Sequence, residues 1–253
     1  MKLGLVTYQI AKDWDLPTIL RNCEATGFEG VELRTEHAHG VEPTLSPSQR
    51  AEVKAMFDAS PVQLVGLGST CEYHSPDPAE LRRNIDRTRQ FVDLAVDLAA
   101  EGVKVRPNAL VDGVPPADTL EQIGTALREC GEYAGPRGVQ IRLEVHGRGT
   151  HEVAHIRKIL DVCDHPDVLA CWNCNAGEVA DGSIAANFAL LAGRIALVHT
   201  RDMWVQDYPL PELFALLRES GYDGFTLIEG DPTDRAIEDM KRQRELWEQH
   251  QRV

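Results

Sequence analysis

The chain has 253 residues, 43% hydrophobic and 26% charged, with a formal net charge of −14. That length can enclose one sizeable core. The acidic balance argues against nucleic acid or an anionic membrane surface as partner, because Lys and Arg make those contacts. The chain shows no basic-then-apolar leader and no long apolar run, so a cytoplasmic protein without membrane spans is expected.

In chain order, residues 3–8 read as a strand and 16–26 as an amphipathic helix stopped by Gly27. Residues 30–34 are strand-like. The helix over 47–60 has Pro47 in its first turn and Ser46 as N-cap. A strand over 63–68 precedes a long helix over 77–100, opened by Asp77 and Pro78 and stopped before Gly102. Then come a strand over 103–106, a helix over 116–134, a strand over 140–145 and a helix over 152–163. A strand over 168–172 leads to a weaker helix over 183–191. The strand over 195–199, helix over 211–220, strand over 225–229 and charged helix over 233–248 complete the chain.

Strands that alternate with helices pair in parallel through crossovers. Eight such units in ~250 residues match a single α/β (β/α)8 TIM barrel. A doubly wound open sheet would place a Gly-rich phosphate turn after an early strand. Here Tyr8-Gln-Ile-Ala-Lys-Asp13 follows the first strand. No linker or low-complexity tract divides the sequence, so residues 1–253 form one domain.

The strand over 140–145 is unusual. Side chains alternate between faces, so Arg142, Glu144 and His146 share one. Charges on an interior strand are costly unless they are paired or bind a metal. The same parity joins Glu32 with Arg34 and Lys104 with Arg106. Glu32, Lys104 and Arg142 are expected to form a buried ion network. Arg34 and Arg106 sit one step higher, within reach of a substrate oxygen.

Barrel chemistry sits at the C-terminal ends of the strands. Here those ends are rich in ionisable groups. Glu144, His199 and Glu229 close the fifth, seventh and eighth strands, and Arg201 and Asp202 follow the seventh. Arg201 either holds substrate or clamps its loop through Asp202. His37, His39 and His74 lie on loops that follow strands, with His37 and His39 the better placed to touch substrate. Cys171 and Cys174 have CxxC spacing, but no second pair supports a zinc or redox role. All six cysteines read as reduced core residues.

At these residues the chain resembles the xylose isomerase-like TIM barrel superfamily, which includes sugar phosphate isomerases and epimerases and shares its fold with endonuclease IV. The matching pieces are Gly27-Phe-Glu-Gly-Val-Glu-Leu33, Leu143-Glu-Val-His-Gly147, Val198-His-Thr-Arg-Asp202 and Gly221-Tyr-Asp-Gly-Phe-Thr-Leu-Ile-Glu229. The resemblance implies one divalent metal held by Glu144, Asn173, His199 and Glu229. Asn173 departs from the pattern, because the family has Asp there and a His where Ala176 stands. An amide carbonyl still ligates a hard cation but brings no charge. Mn²⁺ is therefore favoured, with Mg²⁺, Co²⁺ and Zn²⁺ as alternatives. Asn175 or a water is a candidate replacement ligand.

The implied function is isomerisation or epimerisation of a sugar or polyol by proton abstraction next to a carbonyl, with a metal-stabilised enediolate. Glu144 and Glu229 would be the acid–base pair, and His146, Arg106, Arg201, His37 and His39 the substrate contacts. The runner-up is a dehydratase or lyase that acts by β-elimination on a keto-sugar or keto-glycoside. More distant readings are a non-catalytic sugar-binding barrel and an abasic-site endonuclease. The lack of a Gly-rich phosphate turn points to an unphosphorylated substrate. The oligomeric state stays open: barrels of this group often pair, so a homo-oligomer is one alternative, with Trp204-Val-Gln-Asp-Tyr208 lining either a pocket or a dimer face.

Overall fold

The computed structural model describes residues 1–252, and eight parallel strands close there into a barrel in sequence order. The strands are β1 (Lys2–Val6), β2 (Gly30–Arg34), β3 (Gln63–Glu72), β4 (Gly102–Arg106), β5 (Gln140–Glu144), β6 (Val168–Trp172), β7 (Ile195–Thr200) and β8 (Phe225–Ile228). Closure runs from Lys2 opposite Phe225 to Leu5 opposite Ile228. The helices are α1 (Leu16–Thr26), α2 (Pro47–Asp58), α3 (Pro78–Leu98), α4 (Pro116–Ala134), α5 (Val153–Cys163), α6 (Ala185–Leu191), α7 (Leu210–Glu219) and α8 (Ala236–Arg252). None is long and apolar enough to cross a membrane among the described residues.

Local chemistry sets the helix ends. The Ser46 side chain accepts from Gln49 N while Gln49 accepts from Ser46 N, a reciprocal cap that starts α2. The Asp77 side chain accepts from Ala79 N and starts α3. In α5, Val153, Ile156, Ile159, Leu160 and Cys163 are buried, one stripe at helical spacing against the barrel wall. Truncating Ile159 to Ala would cost about 2–5 kcal/mol.

Side chains of one parity point into the barrel. Val6, Val65, Cys171, Leu197, Phe225 and Leu227 form a small apolar cluster separate from the outer core. Glycines on the first four strands clear space for larger neighbours. A Cβ on Gly102 would lie 2.7 Å from Arg142 Nε, and one on Gly68 would lie 2.8 Å from Glu32 Oε1.

The expected ion network divides in two. Arg142 donates to Val65 O at 3.0 Å, Glu101 Oε2 at 3.1 Å and Gln140 Oε1 at 3.1 Å. Its guanidinium therefore belongs with the backbone of β3 and with Glu101 before β4, because Gly102 leaves it room to turn that way. Glu32 and Lys104 face the other charged groups of the interior instead.

β3 is longer than its apolar run suggests, and its extension pairs Glu72 with Arg106. Tyr208 is buried, and Arg242 covers the Trp204 ring at 4.6 Å. A hollow of about 940 Å³ beside them is lined by Trp204, Val205, Leu210 and Leu246. It lies away from the charged strand ends. All six cysteines are free and buried.

Candidate active site

Glu144 is the last residue of β5, His199 lies near the end of β7, and Glu229 follows β8. One donor atom from each falls within 4.8 Å of the other two. His199 Nδ1 is 3.8 Å from Glu144 Oε1 and 4.0 Å from Glu229 Oε2. Asn173 directly follows β6, so the four residues occupy consecutive strand ends.

Each has defined support. Lys104 Nζ donates to Glu144 Oε2 at 2.7 Å, and both side chains are buried. Glu144 Oε1 is thus left to face His199. On the other side of the imidazole, His199 Nε2 lies 3.4 Å from Glu32 Oε1. Glu32 is fully buried and neither of its oxygens has a hydrogen-bond partner. A carboxylate behind a ligating imidazole fixes the ring's tautomer and strengthens it as a ligand.

The charges shape one another. Burial alone would raise Glu144, but Lys104 and His199 hold it well below the usual carboxylate range. Burial disfavours a charged His199, yet Cys171, Glu32 and Glu144 around it push its pKa well above the ordinary value. Glu229 moves the opposite way to Glu144, raised by burial and by the Glu144 charge.

The donor set fits a divalent cation. Asn173 Oδ1 and His199 Nδ1 are buried without hydrogen-bond partners. Such atoms cost about 1–3 kcal/mol each when left unsatisfied. A cation held by Glu144, Asn173, His199 and Glu229 would satisfy both. Asn175 is less free, because its amide nitrogen donates to Val145 O.

Glu144, Asn173, Asn175 and Glu229 line a pocket of about 400 Å³ at the barrel mouth, and His199 is buried next to them. That is within the ~300–1,000 Å³ common for small-molecule sites. His146 lines it, with Nδ1 buried and unpartnered. Arg106 lines it too, and its guanidinium pairs with Glu72. Arg201 also reaches the pocket, but its partner is Asp207 at 2.8 Å rather than Asp202. Asp202 instead accepts from Gln243 of α8 and from Asp231 N.

The two loop histidines part company. His37 stacks on Tyr8, with ring centroids 6.4 Å apart, and Tyr8 rather than His37 lines the pocket. His39 is committed to its own loop. Its Nδ1 accepts from Val41 N at 3.0 Å, so its Nε2 carries the proton donated to Arg34 O at 2.8 Å. The expected substrate contact by His39 is therefore replaced by a backbone clamp.

Sequence reasoning missed the Lys104–Glu144 pair, although their parity was available. It also missed a buried relay beneath Asn173. Trp172 Nε1 donates to Tyr208 Oη at 2.8 Å, and Tyr208 Oη donates to Glu178 Oε2 at 2.6 Å. Burial pushes the Glu178 carboxyl up to about 7. No sequence motif marks Glu178, because its partners come from β6 and from the loop after β7.

Several solved structures share this fold over nearly their whole length. An L-ribulose 3-epimerase has a TM-score of 0.84 at 15% identity, covering 100% of this chain and 95% of that one. The IOLI protein, solved with a bound zinc atom, has a TM-score of 0.82 at 17% identity, covering 99% and 98%. D-psicose 3-epimerase from Clostridium cellulolyticum H10, solved with D-tagatose, has a TM-score of 0.81 at 17% identity, covering 100% and 98%. No curated protein matches the sequence. The xylose isomerase-like TIM barrel profile matches residues 20–247, and with the closed barrel this shows that the chain belongs to that family.

Proposed function

We propose that the protein is a metal-dependent isomerase or epimerase of a sugar or polyol, working by proton abstraction next to a carbonyl. The observation that carries this reading is the convergence of Glu144, His199 and Glu229 within 4.8 Å at the pocket. Similar structures include epimerases of ketoses and of a keto-glucoside. Glu144, Asn173, His199 and Glu229 would hold the cation, with Mn²⁺ favoured by the mixed N/O donors. When bound, it would polarise the substrate carbonyl and offset the negative charge that develops on its oxygen.

The chain's own residues supply the rest. Glu144 and Glu229 sit on opposite sides of His199 in barrel order, so one takes the proton and the other returns it. Lys104 holds one Glu144 oxygen and keeps the carboxylate ionised. His146 and Arg106 orient substrate hydroxyls, and Arg201 closes the outer edge.

One observation favours elimination as a second reading. His146 lines the pocket and its Nδ1 has no protein partner, so its ring would be the group available to protonate a leaving oxygen.

Incubation of Mn²⁺-loaded protein with ketohexoses and 3-keto-glycosides in deuterated water, followed by NMR, tests the proposal. An epimer or isomer labelled at the carbon next to the carbonyl is expected. Free aglycone or an unsaturated sugar would establish elimination instead. Absence of deuterium incorporation from every ketose tested would refute proton abstraction.

A further inference from the structure

We propose that the substrate carries a carboxylate, seated by Arg34 with help from Arg106. This deepens the sugar-site reading and rests on it. The chain's net charge is −14, yet its pocket is lined by Arg34, Lys104, Arg106 and Arg201 against Glu144, Glu229 and Asp231. A divalent ion at Glu144 and Glu229 would tip the balance further towards positive.

Topology separates the two kinds of charge. The metal-binding set stands on consecutive strands β5 to β8, whereas Arg34 ends β2 and Arg106 ends β4. Between these arginines runs β3, where Gly68 offers no side chain. A Cβ there would lie 3.5 Å from Arg34 Cδ. Past Gly68, the Glu72 carboxylate of β3 is taken by Arg106 and Asn108.

The arginines differ in how far they are satisfied. Arg201 has Asp207, and Arg106 has Glu72. The Arg34 guanidinium makes one hydrogen bond, Nη1 to Thr35 O at 3.1 Å, and lies 6.0 Å from the Tyr8 ring. It has no carboxylate partner within 4.0 Å among the described residues. Arg106 Nε is also buried without a partner. A half-buried guanidinium with most donors free is the group that planar carboxylates satisfy bidentately. One unmatched arginine balances one negative charge. A phosphate, which approaches two at neutral pH, would lack its second partner.

The test is calorimetric binding of D-fructose, D-fructuronate and D-fructose 6-phosphate to Mn²⁺-loaded protein. Fructuronate is expected to bind about tenfold or more tighter than fructose and tighter than the phosphate. The preference should weaken with salt. Arg34→Gln should remove most of it, Arg34→Lys should keep part of it, and the exposed Arg83→Gln should leave it intact. Arg106→Gln provides a second variant should Arg34→Gln fold poorly. Equal or weaker binding of fructuronate than of fructose overturns the inference, as does tighter binding of the phosphate. Retention of the preference in both Arg34→Gln and Arg106→Gln overturns it as well. Ligand preference and deuterium exchange are separate readouts, so loss of exchange would refute the epimerase reading and leave this preference standing.

Discussion

Glu32 gives the sharpest test of how the site is supported. Its Oε1 lies 3.4 Å from His199 Nε2, on the far side of the ring from Glu144 and Glu229. Burial penalises the carboxylate, but His199 and Lys104 outweigh that and hold its pKa below the usual value. Glu32→Gln keeps the shape and one acceptor oxygen, so it removes charge and little else. Glu32→Leu removes the acceptor too and frees the ring to change tautomer. Losing such support typically lowers metal affinity 10–100-fold, or about 1.4–2.8 kcal/mol. The charge-only change should fall near the lower end of that range and Glu32→Leu near the upper. Mn²⁺ titration calorimetry with a competing chelator measures both. Denaturation without metal serves as the control. Because His199 and Lys104 hold the Glu32 carboxylate in its ionised form, Glu32→Gln should lower metal-free stability at neutral pH, and the Mn²⁺ affinities are compared on protein that is folded in that control. Unchanged Mn²⁺ affinity in both variants would refute the role given to Glu32.

Three further outcomes are expected. Asn173→Asp adds a third carboxylate to the donor set and should tighten Mn²⁺ binding about tenfold or more, read by the same titration. Lys104→Met leaves Glu144 buried without its ammonium partner and should lower metal-free stability by about 3 kcal/mol in urea denaturation. Glu178 titrates near 7 when folded, against an ordinary 4.5, so the folded state holds the extra proton between those values. Its contribution is therefore fully present below pH 4.5 and is lost as pH rises through about 7. The stability of Glu178→Gln relative to the parent should rise by about 3 kcal/mol from pH 4.5 to pH 8, measured by denaturation at each pH.

The barrel was legible because its strands and helices carry different periods. The strand limits at 30–34 and 168–172 and the helix over 116–134 agree with the structure, since Gly, Pro and the apolar pattern mark both ends. β3 ran past its apolar stretch to Glu72 because pairing with Arg106 continues it, and pairing is not local information. The site residues on strands were readable by parity and position. Glu144, His199 and Glu229 do converge, and His146 and Arg106 do face the pocket. Loop residues were less readable. His39 and Arg201 took partners from their own loops, at Val41 and Asp207, which depend on backbone turns that no periodicity encodes. Glu32 was expected to meet Arg142, but Gly102 lets Arg142 turn away and leaves Glu32 to His199.

The central claim is that four consecutive strand ends build one divalent-cation site. Electron paramagnetic resonance titration of the protein with Mn²⁺ tests it most directly, since free and bound ion give distinct signals. One tight site per chain is predicted, lost in the Glu144→Gln, Glu229→Gln double variant and weakened by His199→Gln. No bound Mn²⁺, or a site that persists unchanged in both variants, would contradict it.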